Sequence, residues 1–478
     1  MSLGRRKREK QEAIWIEAAA VAGRGGHPFY ERLNEVLGKR DFDRFAEQAC
    51  ASFYSNTGRP GLPAGIYFRL LLVGYFEGID SERGIAWRAA DSLALRSFLG
   101  LELSDVTPDH TTISRTRRLI DVETHHKVFG WVLRMLADEG LLKGNTIAID
   151  GTTLEANAAL RSIVRRDNGE AYNQFLERLA SESGIETPTR EQLAKLDRKR
   201  PKKGSNDDWE NPHDPDARIT KMKDGRTHLA HKAEHAVDLE TGAVVAVALQ
   251  PATDGDTRTV YETVCQAGEN ICETARNASE EAAVNPEGPA EIVLDKGYHS
   301  NDVLLTLQQW GVRAYCSEPE RGRRNWKNKG EEKTAVYQNR KRIRGERGKR
   351  LLRQRGERVE RSFAHLYETG AMRRTHLRRH GNILKRLLIH AAAFNLGLVM
   401  RKMSGFGTPR GMAECTGTLI SVLWLLRALH GWSSYGIVLT ISAHLSNDST
   451  VGNAYANSRS FTFDSAPQYQ KIRSAPGC

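Results

Sequence analysis

Cysteine is scarce in this sequence: the 478 residues include only six, which are Cys50, Cys265, Cys272, Cys316, Cys415 and Cys478. None stands in a Cys-x-x-Cys pair or at the spacing of zinc ligands, which argues against a disulfide framework and a zinc site. The N-terminal 21 residues are basic and then amphipathic, without the apolar stretch and small-residue cleavage site of a signal peptide. We therefore expect a protein of the reducing cytoplasm.

A convincing membrane span is also missing. The apolar run TGTLISVLWLL is too short for one and ends beside Arg427. It lies in residues 404–478, which have few charges and are rich in Ser, Asn and Ala, unlike the rest of the chain. We expect this tail to be appended or disordered, and we expect no membrane partner.

Positive charge is concentrated in one segment. The formal net charge is +12, and residues Arg321 to Arg361 hold 17 Lys plus Arg against 5 Asp plus Glu, so the rest of the chain is close to neutral. Such a segment favours binding to a polyanion, because neutralised phosphates supply most of the affinity that does not depend on base sequence. The alternative is a solvated, partly disordered run of charge.

Three carboxylates stand out by their settings. Asp150 in TIAIDGT and Asp295 in EIVLDKGYHS each end a short apolar run, as a buried strand does at the edge of a sheet. Glu360 lies on a predicted helix within the basic segment. Phosphodiester cleavage uses two divalent cations about 3.5 to 4 Å apart, held by carboxylates. The pattern therefore indicates a metal-dependent site that cuts nucleic acid.

The pattern of apolar residues predicts an all-α N-terminal domain over residues 1–140. Its last helix follows a polar turn, with Asp109 or Thr111 as the N-cap. This helix carries Arg115, Arg117 and Arg118, residues of the type that contact phosphates and guanine edges. An ordinary amphipathic helix with a charged outer face would carry the same residues.

Short β-rich runs begin at Asn145 and alternate with helices, which predicts a mixed sheet in an α/β catalytic domain over residues 141–403. AEHAVDLETGAVVAVAL predicts a hairpin that turns at Glu-Thr-Gly. Residues 157–228, approximately, form a polar insertion for which we expect one or two helices and a mobile loop. The order of strands and helices is compatible with a ribonuclease-H-like core.

With these residues in place, the chain resembles bacterial insertion-sequence transposases of the DDE type, in the insertion sequence five superfamily, from roughly residue 25 to 403. TIAIDGTTLEANAA is similar to the strand with the first catalytic Asp, EIVLDKGYHS to that with the second, and RGERVERSFAHLYETG to the glutamate helix. The resemblance implies a ribonuclease-H-like fold, Mg²⁺ or Mn²⁺, and strand cleavage followed by strand transfer. Its implied partners are double-stranded DNA, as terminal inverted repeats and target, and a second copy of the chain on DNA.

The resemblance makes Asp150, Asp295 and Glu360 the catalytic residues and metal ligands, with Glu357 as a rival for Glu360 one turn earlier. Where the family often has Tyr, Arg and a later Lys or Arg around its glutamate, this chain has Arg353, Gly356 and Tyr367. We expect DNA contacts from the cations beside these motifs, which are Lys296, Arg358 and Arg361. Further candidates are His231, Lys232 and His299 for DNA or phosphate contact. Asp254 and Asp256 follow the hairpin and are candidates for the wall of the cleft, but not for metal ligands.

Two alternatives to an active transposase remain open. A decayed or domesticated copy would bind DNA without cutting it, and a structure-specific nuclease of the same fold would cut without joining. An intact carboxylate set argues against the first, because acidic groups in a basic cleft repel phosphate. An active enzyme would lie in the cytoplasm with the nucleoid.

Overall fold

The computed structural model describes residues 26–413, apart from residues 56, 59, 200–203, 223–224, 321 and 323. Seven α-helices precede the first strand in the described residues. They are α1 (Pro28–Gly38), α2 (Phe42–Cys50), α3 (Ala64–Phe76), α4 (Glu82–Asp91), α5 (Leu93–Phe98), α6 (His110–Leu119) and α7 (Val122–Asp138). The predicted helical character of this part of the chain is confirmed where the structure describes it.

Side-chain caps define the starts of these helices. Asp109 accepts a hydrogen bond from the backbone N–H of Thr112, which confirms the predicted N-cap of α6. Asp121 caps α7 in the same way. We call α1 to α7 the helical layer. Helix α3 is buried on nearly every side and forms its centre.

The rest of the described chain combines eight strands with further helices. The strands are β1 (Thr146–Glu155), β2 (Val164–Arg165), β3 (Trp209–Glu210), β4 (Arg218–Lys221), β5 (Thr227–Asp238), β6 (Val244–Pro251), β7 (Glu291–Leu294) and β8 (Arg313–Cys316). The helices are α8 (Tyr172–Glu182), α9 (Arg190–Lys199), α10 (Asp256–Asn277), α11 (Asn301–Gln309), α12 (Gly330–Arg344), α13 (Glu346–Phe363) and α14 (His380–Ser404).

Six strands form one mixed sheet. Its order is β4-β5-β1-β7-β8, with β6 also paired to β5. β5 runs antiparallel to β1, whereas β7 and β8 run parallel to it. The predicted mixed sheet is therefore confirmed, and so is the hairpin: β5 and β6 pair, and Gly242 in the connecting turn has φ of +83°.

An asparagine side chain covers each of two edge strands. Asn395 of α14 accepts from the N–H of Val244 at 2.9 Å and donates to its carbonyl at 2.8 Å. Asn339 of α12 bonds Cys316 in the same way, at 2.9 Å and 2.8 Å. Each amide satisfies backbone groups that an edge strand would otherwise leave unpaired.

Helix α14 joins the helical layer to the sheet, since it packs against α3, α7 and β6 within one hydrophobic core. The segment His380–Ala413 is long and apolar enough to cross a membrane by length and composition, but 89% of its most apolar part is buried inside the protein. The core helix of a globular domain has the same length, composition and burial.

The insertion has more structure than its polar sequence indicates. It contains two helices, α8 and α9, where one or two were expected. It also has a small core around Trp209 and Ile163, which Leu229 of β5 completes. Its end differs from the expectation, because Arg218–Lys221 already pairs with β5 as strand β4 of the main sheet.

The start of the predicted tail packs on the body of the protein. The carbonyl of Gly407 lies against Gly397 of α14, and Arg410 donates to the carbonyl of Glu77 at 3.4 Å. The remainder of the tail, from residue 414, lies outside the described residues.

Candidate active site

The sheet places Asp150 and Asp295 side by side. Ile149 of β1 and Leu294 of β7 are partners in a parallel register. The residues that follow them, Asp150 and Asp295, therefore lie next to each other. Arg355 of α13 bridges the two carboxylates: its Nη1 lies 2.6 Å from Oδ2 of Asp150 and its Nη2 lies 3.5 Å from Oδ1 of Asp295. Two of the three predicted ligands therefore converge around one cationic group.

Asp150 is half-buried, and this sets its acidity. Burial raises the pKa of its carboxyl above the ordinary value, and the nearby charge of Asp295 adds to the rise. The Arg355 guanidinium and the N–H of Gly151, which donates to Asp150 at 2.8 Å, oppose it. The oxygen ligands of such a carboxylate pair fit a hard divalent ion.

The third predicted ligand is not assembled with the other two. Glu360 and its rival Glu357 are both exposed on α13. The buried positions of this helix are Gly348, Leu351, Val359 and Ser362, and Glu360 lies about 100° around the helix from Val359. In the described part of the chain, no three His, Cys, Asp or Glu side chains are arranged to hold a metal ion. The expected three-carboxylate cluster is therefore absent from this arrangement.

A buried histidine anchors α13 to the sheet. His235 is the β5 partner of Asp150, and its Nδ1 and Nε2 lie 2.9 Å from Ser362 and 2.6 Å from Tyr367. Ser362 donates its own proton to the carbonyl of Val359, so the Nδ1–H of His235 donates to Ser362 and Nε2 accepts from Tyr367. Burial lowers the pKa of His235 to about 3, which keeps the ring neutral.

Tyr367 belongs to a π-helical segment, Ala364–Thr369, that directly follows α13. Such segments are uncommon and occur often at functional sites. The departure from the family pattern at position 367 thus has a structural role here, since the Tyr367 hydroxyl holds His235.

A polar network that the sequence analysis missed lies on the other face of the sheet. Glu234 is fully buried and receives Tyr298 at 3.0 Å, Thr263 at 2.7 Å and the Lys232 ammonium at 3.0 Å. Lys232 also pairs with Asp256 at 2.6 Å. Tyr298 ends the turn that begins at Asp295. The hydrogen bond from Tyr298 to Glu234 therefore helps to hold this turn in place. The alternation of β5 could have revealed the network, since Lys232 and Glu234 are two residues apart and share one face of the strand.

Three residues predicted to contact DNA or phosphate are buried instead. Lys232 is buried in this network rather than exposed to DNA, and His231 is buried against Asp214 at 3.1 Å. His299, which we considered for phosphate contact, is 1% exposed and lies close to Glu318.

Of the three arginines predicted on α6, Arg115 and Arg118 are exposed, as a DNA contact requires. Arg117 is buried and pairs with Glu82 of α4 at 2.7 Å, so it joins two helices instead. The prediction for Arg117 is wrong because the helix turns this residue inward.

The cations near the carboxylates occupy different surfaces. Lys296 is exposed directly after Asp295. Arg358 lines a groove with Thr146 at the start of β1, four residues before Asp150. Arg361 is exposed and lies close to Arg401 of α14. Burial is the main cause that lowers the pKa of Arg401, and the charge of Arg361 lowers this pKa further.

Comparison with known protein families gives two matches. Residues 23–119 match the family described as Transposase domain (DUF772), and residues 143–396 match the family described as Transposase DDE domain. No curated protein and no solved structure matches the chain. Asp150, Asp295 and Glu360 all fall within the second match, which covers more than half of the 478 residues. The chain therefore belongs to the DDE transposase family.

Proposed function

We propose that this transposase cuts DNA at the terminal inverted repeats of an insertion sequence and joins the freed 3′ ends to target DNA. One observation carries the proposal: Asp150, within β1, and Asp295, directly after the neighbouring parallel strand β7, lie side by side and share one cationic group. Paired carboxylates beside a strongly basic segment suit phosphodiester chemistry on a polyanion.

The topology supports a ribonuclease-H-like core. Membership of the insertion sequence five superfamily is proposed from the resemblance of the sequence motifs. The chain runs from β1 through the β5–β6 hairpin to α10, β7, α11 and β8, which is the order expected from the sequence. The insertion between β1 and β5 adds its own small core without breaking this order.

Asp150, Asp295 and Glu360 would hold Mg²⁺ or Mn²⁺, with Glu357 as the rival third ligand. Arg355 already places positive charge between the aspartates, so the donor set fits a cation. When bound, divalent metal lowers the pKa of a water and stabilises the leaving 3′ oxygen. The network around Glu234 keeps the Asp295 turn in position, and Lys296 offers its ammonium to the phosphate beside it.

The exposed cations Arg115, Arg118, Lys296 and Arg361 are the proposed DNA contacts, and Arg358 is a contact from the opposite end of β1. Two element ends require two active sites, so a homodimer is proposed on DNA. We place this activity in the cytoplasm, on the nucleoid.

One observation favours the second candidate, a copy that binds DNA without cutting it. Glu360 is exposed, and the described residues contain no three-residue group arranged to hold a metal ion. A catalytically lost copy would show the same arrangement of α13.

The test is cleavage of labelled DNA that carries the ends of the element, with Mg²⁺ or Mn²⁺, by the intact protein and by Asp295→Asn. Glu186→Gln, which changes an exposed carboxylate in the insertion, is the matched control. Metal-dependent nicking that Asp295→Asn abolishes and Glu186→Gln retains supports the proposal. Binding of the DNA by all three proteins without nicking favours the second candidate. Nicking without joined products indicates a nuclease.

A further inference from the structure

Helix α12 presents an exposed aromatic ring within a row of cations. Tyr337 is 50% exposed, although large aromatic side chains are usually buried. Lys333 lies one turn before it, and Lys341 and Arg344 lie one and two turns after it, all exposed. From Lys333 to Arg344 the sequence contains five cations and no Asp or Glu. We call Lys333, Tyr337, Lys341 and Arg344 the outer face of α12.

The ring of Tyr337 is held in place. The Arg340 guanidinium lies 4.9 Å from its centroid and is itself fixed by Glu318, at 2.7 Å and 2.8 Å. Trp326 meets the ring edge-on at 6.2 Å. An ordered ring loses little side-chain entropy when a second planar group stacks on it.

The positive charge of the outer face remains available. In the part of the chain that the structure describes, no carboxylate pairs with Lys341 or Arg344, whereas Arg340 pairs with Glu318 and Arg342 donates to the carbonyl of Ala314. Unpaired cations that flank an exposed aromatic ring form the arrangement that binds single-stranded nucleic acid.

The inner side of α12 ties this face to the proposed active site. Asn339 bonds both backbone groups of Cys316, at the end of β8. The thiol of Cys316 donates in turn to the carbonyl of Asp295 at 3.2 Å. α12 thus sits beside the sheet edge nearest to Asp295, where DNA leaving the carboxylates on that side would pass.

We propose that the outer face of α12 binds the DNA flanking the cleavage site, with phosphates on Lys333, Lys341 and Arg344 and an unpaired base stacked on Tyr337. This inference rests on the proposed function, since it requires DNA at Asp150 and Asp295. Bases within an intact duplex are stacked on one another, so Tyr337 selects DNA that carries a single-stranded segment.

The test measures equilibrium binding by fluorescence anisotropy, with the full chain in EDTA so that cleavage plays no part. The probes are a blunt duplex of an element end and the same duplex with a short single-stranded overhang. We expect Tyr337→Ala to weaken binding of the overhang probe about fivefold or more and to leave the blunt probe unchanged. Tyr337→Phe keeps the ring and should bind the overhang probe like the intact protein.

The charges are tested by the salt dependence of binding. Lys341→Gln combined with Arg344→Gln should reduce the slope of log K against log salt by about 1.4 to 1.8, because each phosphate contact contributes about 0.7 to 0.9. Lys195→Gln combined with Arg198→Gln removes two exposed cations from α9 and is the matched control, with no change of slope expected.

Unchanged binding by all α12 variants, or an equal loss in the α9 control, overturns the inference and leaves the proposed function intact. Loss of overhang binding by Tyr337→Phe as well as Tyr337→Ala overturns stacking as its basis. Absence of DNA binding by the intact protein overturns the proposed function together with the inference.

Discussion

Arg355 of α13 donates to Asp150 across 205 positions of sequence, with 2.6 Å between Nη1 and Oδ2. The same guanidinium reaches Asp295 at 3.5 Å. One side chain thus contacts both aspartates from the helix that also carries Glu360. Because a guanidinium and a divalent ion cannot both occupy the space between the same carboxylate oxygens, Arg355 would compete with a metal ion bound there.

Replacing Arg355 with Gln should therefore strengthen binding of Mn²⁺ in the absence of DNA by about tenfold, the equivalent of one charge-assisted hydrogen bond of about 1.5 kcal/mol. Electron paramagnetic resonance of free Mn²⁺ measures this directly. Arg353→Gln removes an exposed cation from the same helix and should change the affinity much less. Weaker Mn²⁺ binding by Arg355→Gln would show that Arg355 organises the aspartates instead of competing.

The choice of third ligand can be decided on α13 itself. Glu360→Gln should reduce metal-dependent cleavage about 100-fold or more, since a lost ligand removes several kcal/mol of transition-state stabilisation. Glu357→Gln, also exposed and one turn earlier, should cleave almost normally. Single-turnover cleavage rates provide the comparison, and the reverse order of effects would transfer the role to Glu357.

The two neighbouring arginines of α6 should behave differently. Arg117→Ala breaks a buried ion pair with Glu82 and should lower the free energy of unfolding by about 3 kcal/mol, as measured by urea denaturation. Arg118→Ala removes an exposed charge and should weaken DNA binding with little loss of stability. Equal stability of the two variants would contradict the structural role of Arg117.

Acid should destabilise the helical layer through His125 of α7. Burial lowers the pKa of this ring from 6.5 to about 3, and its nitrogens lie 3.1 Å from the Tyr67 hydroxyl and 2.6 Å from the carbonyl of Asp121. Between these two pH values the unfolded chain binds a proton that the folded protein does not. Stability is therefore complete above about pH 6.5 and falls as the pH drops toward about 3.

The slope contributed by this histidine approaches about 1.4 kcal/mol per pH unit within that window. Denaturation midpoints measured at several pH values should show a shallower dependence for His125→Gln than for the intact protein. The replacement can still donate to the Asp121 carbonyl but does not titrate. A pH dependence that is identical in both proteins would rule out this origin.

Local patterns in the sequence were enough for part of this picture. The β5–β6 hairpin, the Asp109 cap and the end of β7 before Asp295 each depend on residues close together in the chain. The strand end expected at Asp150 is wrong, because β1 continues to Glu155 through its pairing with β5. The resemblance to the family then indicated that the two aspartates belong to one site.

Long-range pairing was beyond such reasoning. Nothing in the arginine-rich segment distinguishes Arg355, which meets Asp150, from Arg353, which is exposed, because the register of α13 against the sheet depends on buried partners such as His235. Arg117 was misassigned for the same reason, since its partner Glu82 lies on another helix. The core of the insertion around Trp209 was hidden by its polar surroundings.

The side-chain amides of Asn395 and Asn339 stand where a further strand would pair, against Val244 of β6 and Cys316 of β8. Exposed strand edges invite other chains to extend the sheet, which leads to aggregation. With these backbone groups already bonded, a neighbouring copy cannot pair a strand with either residue.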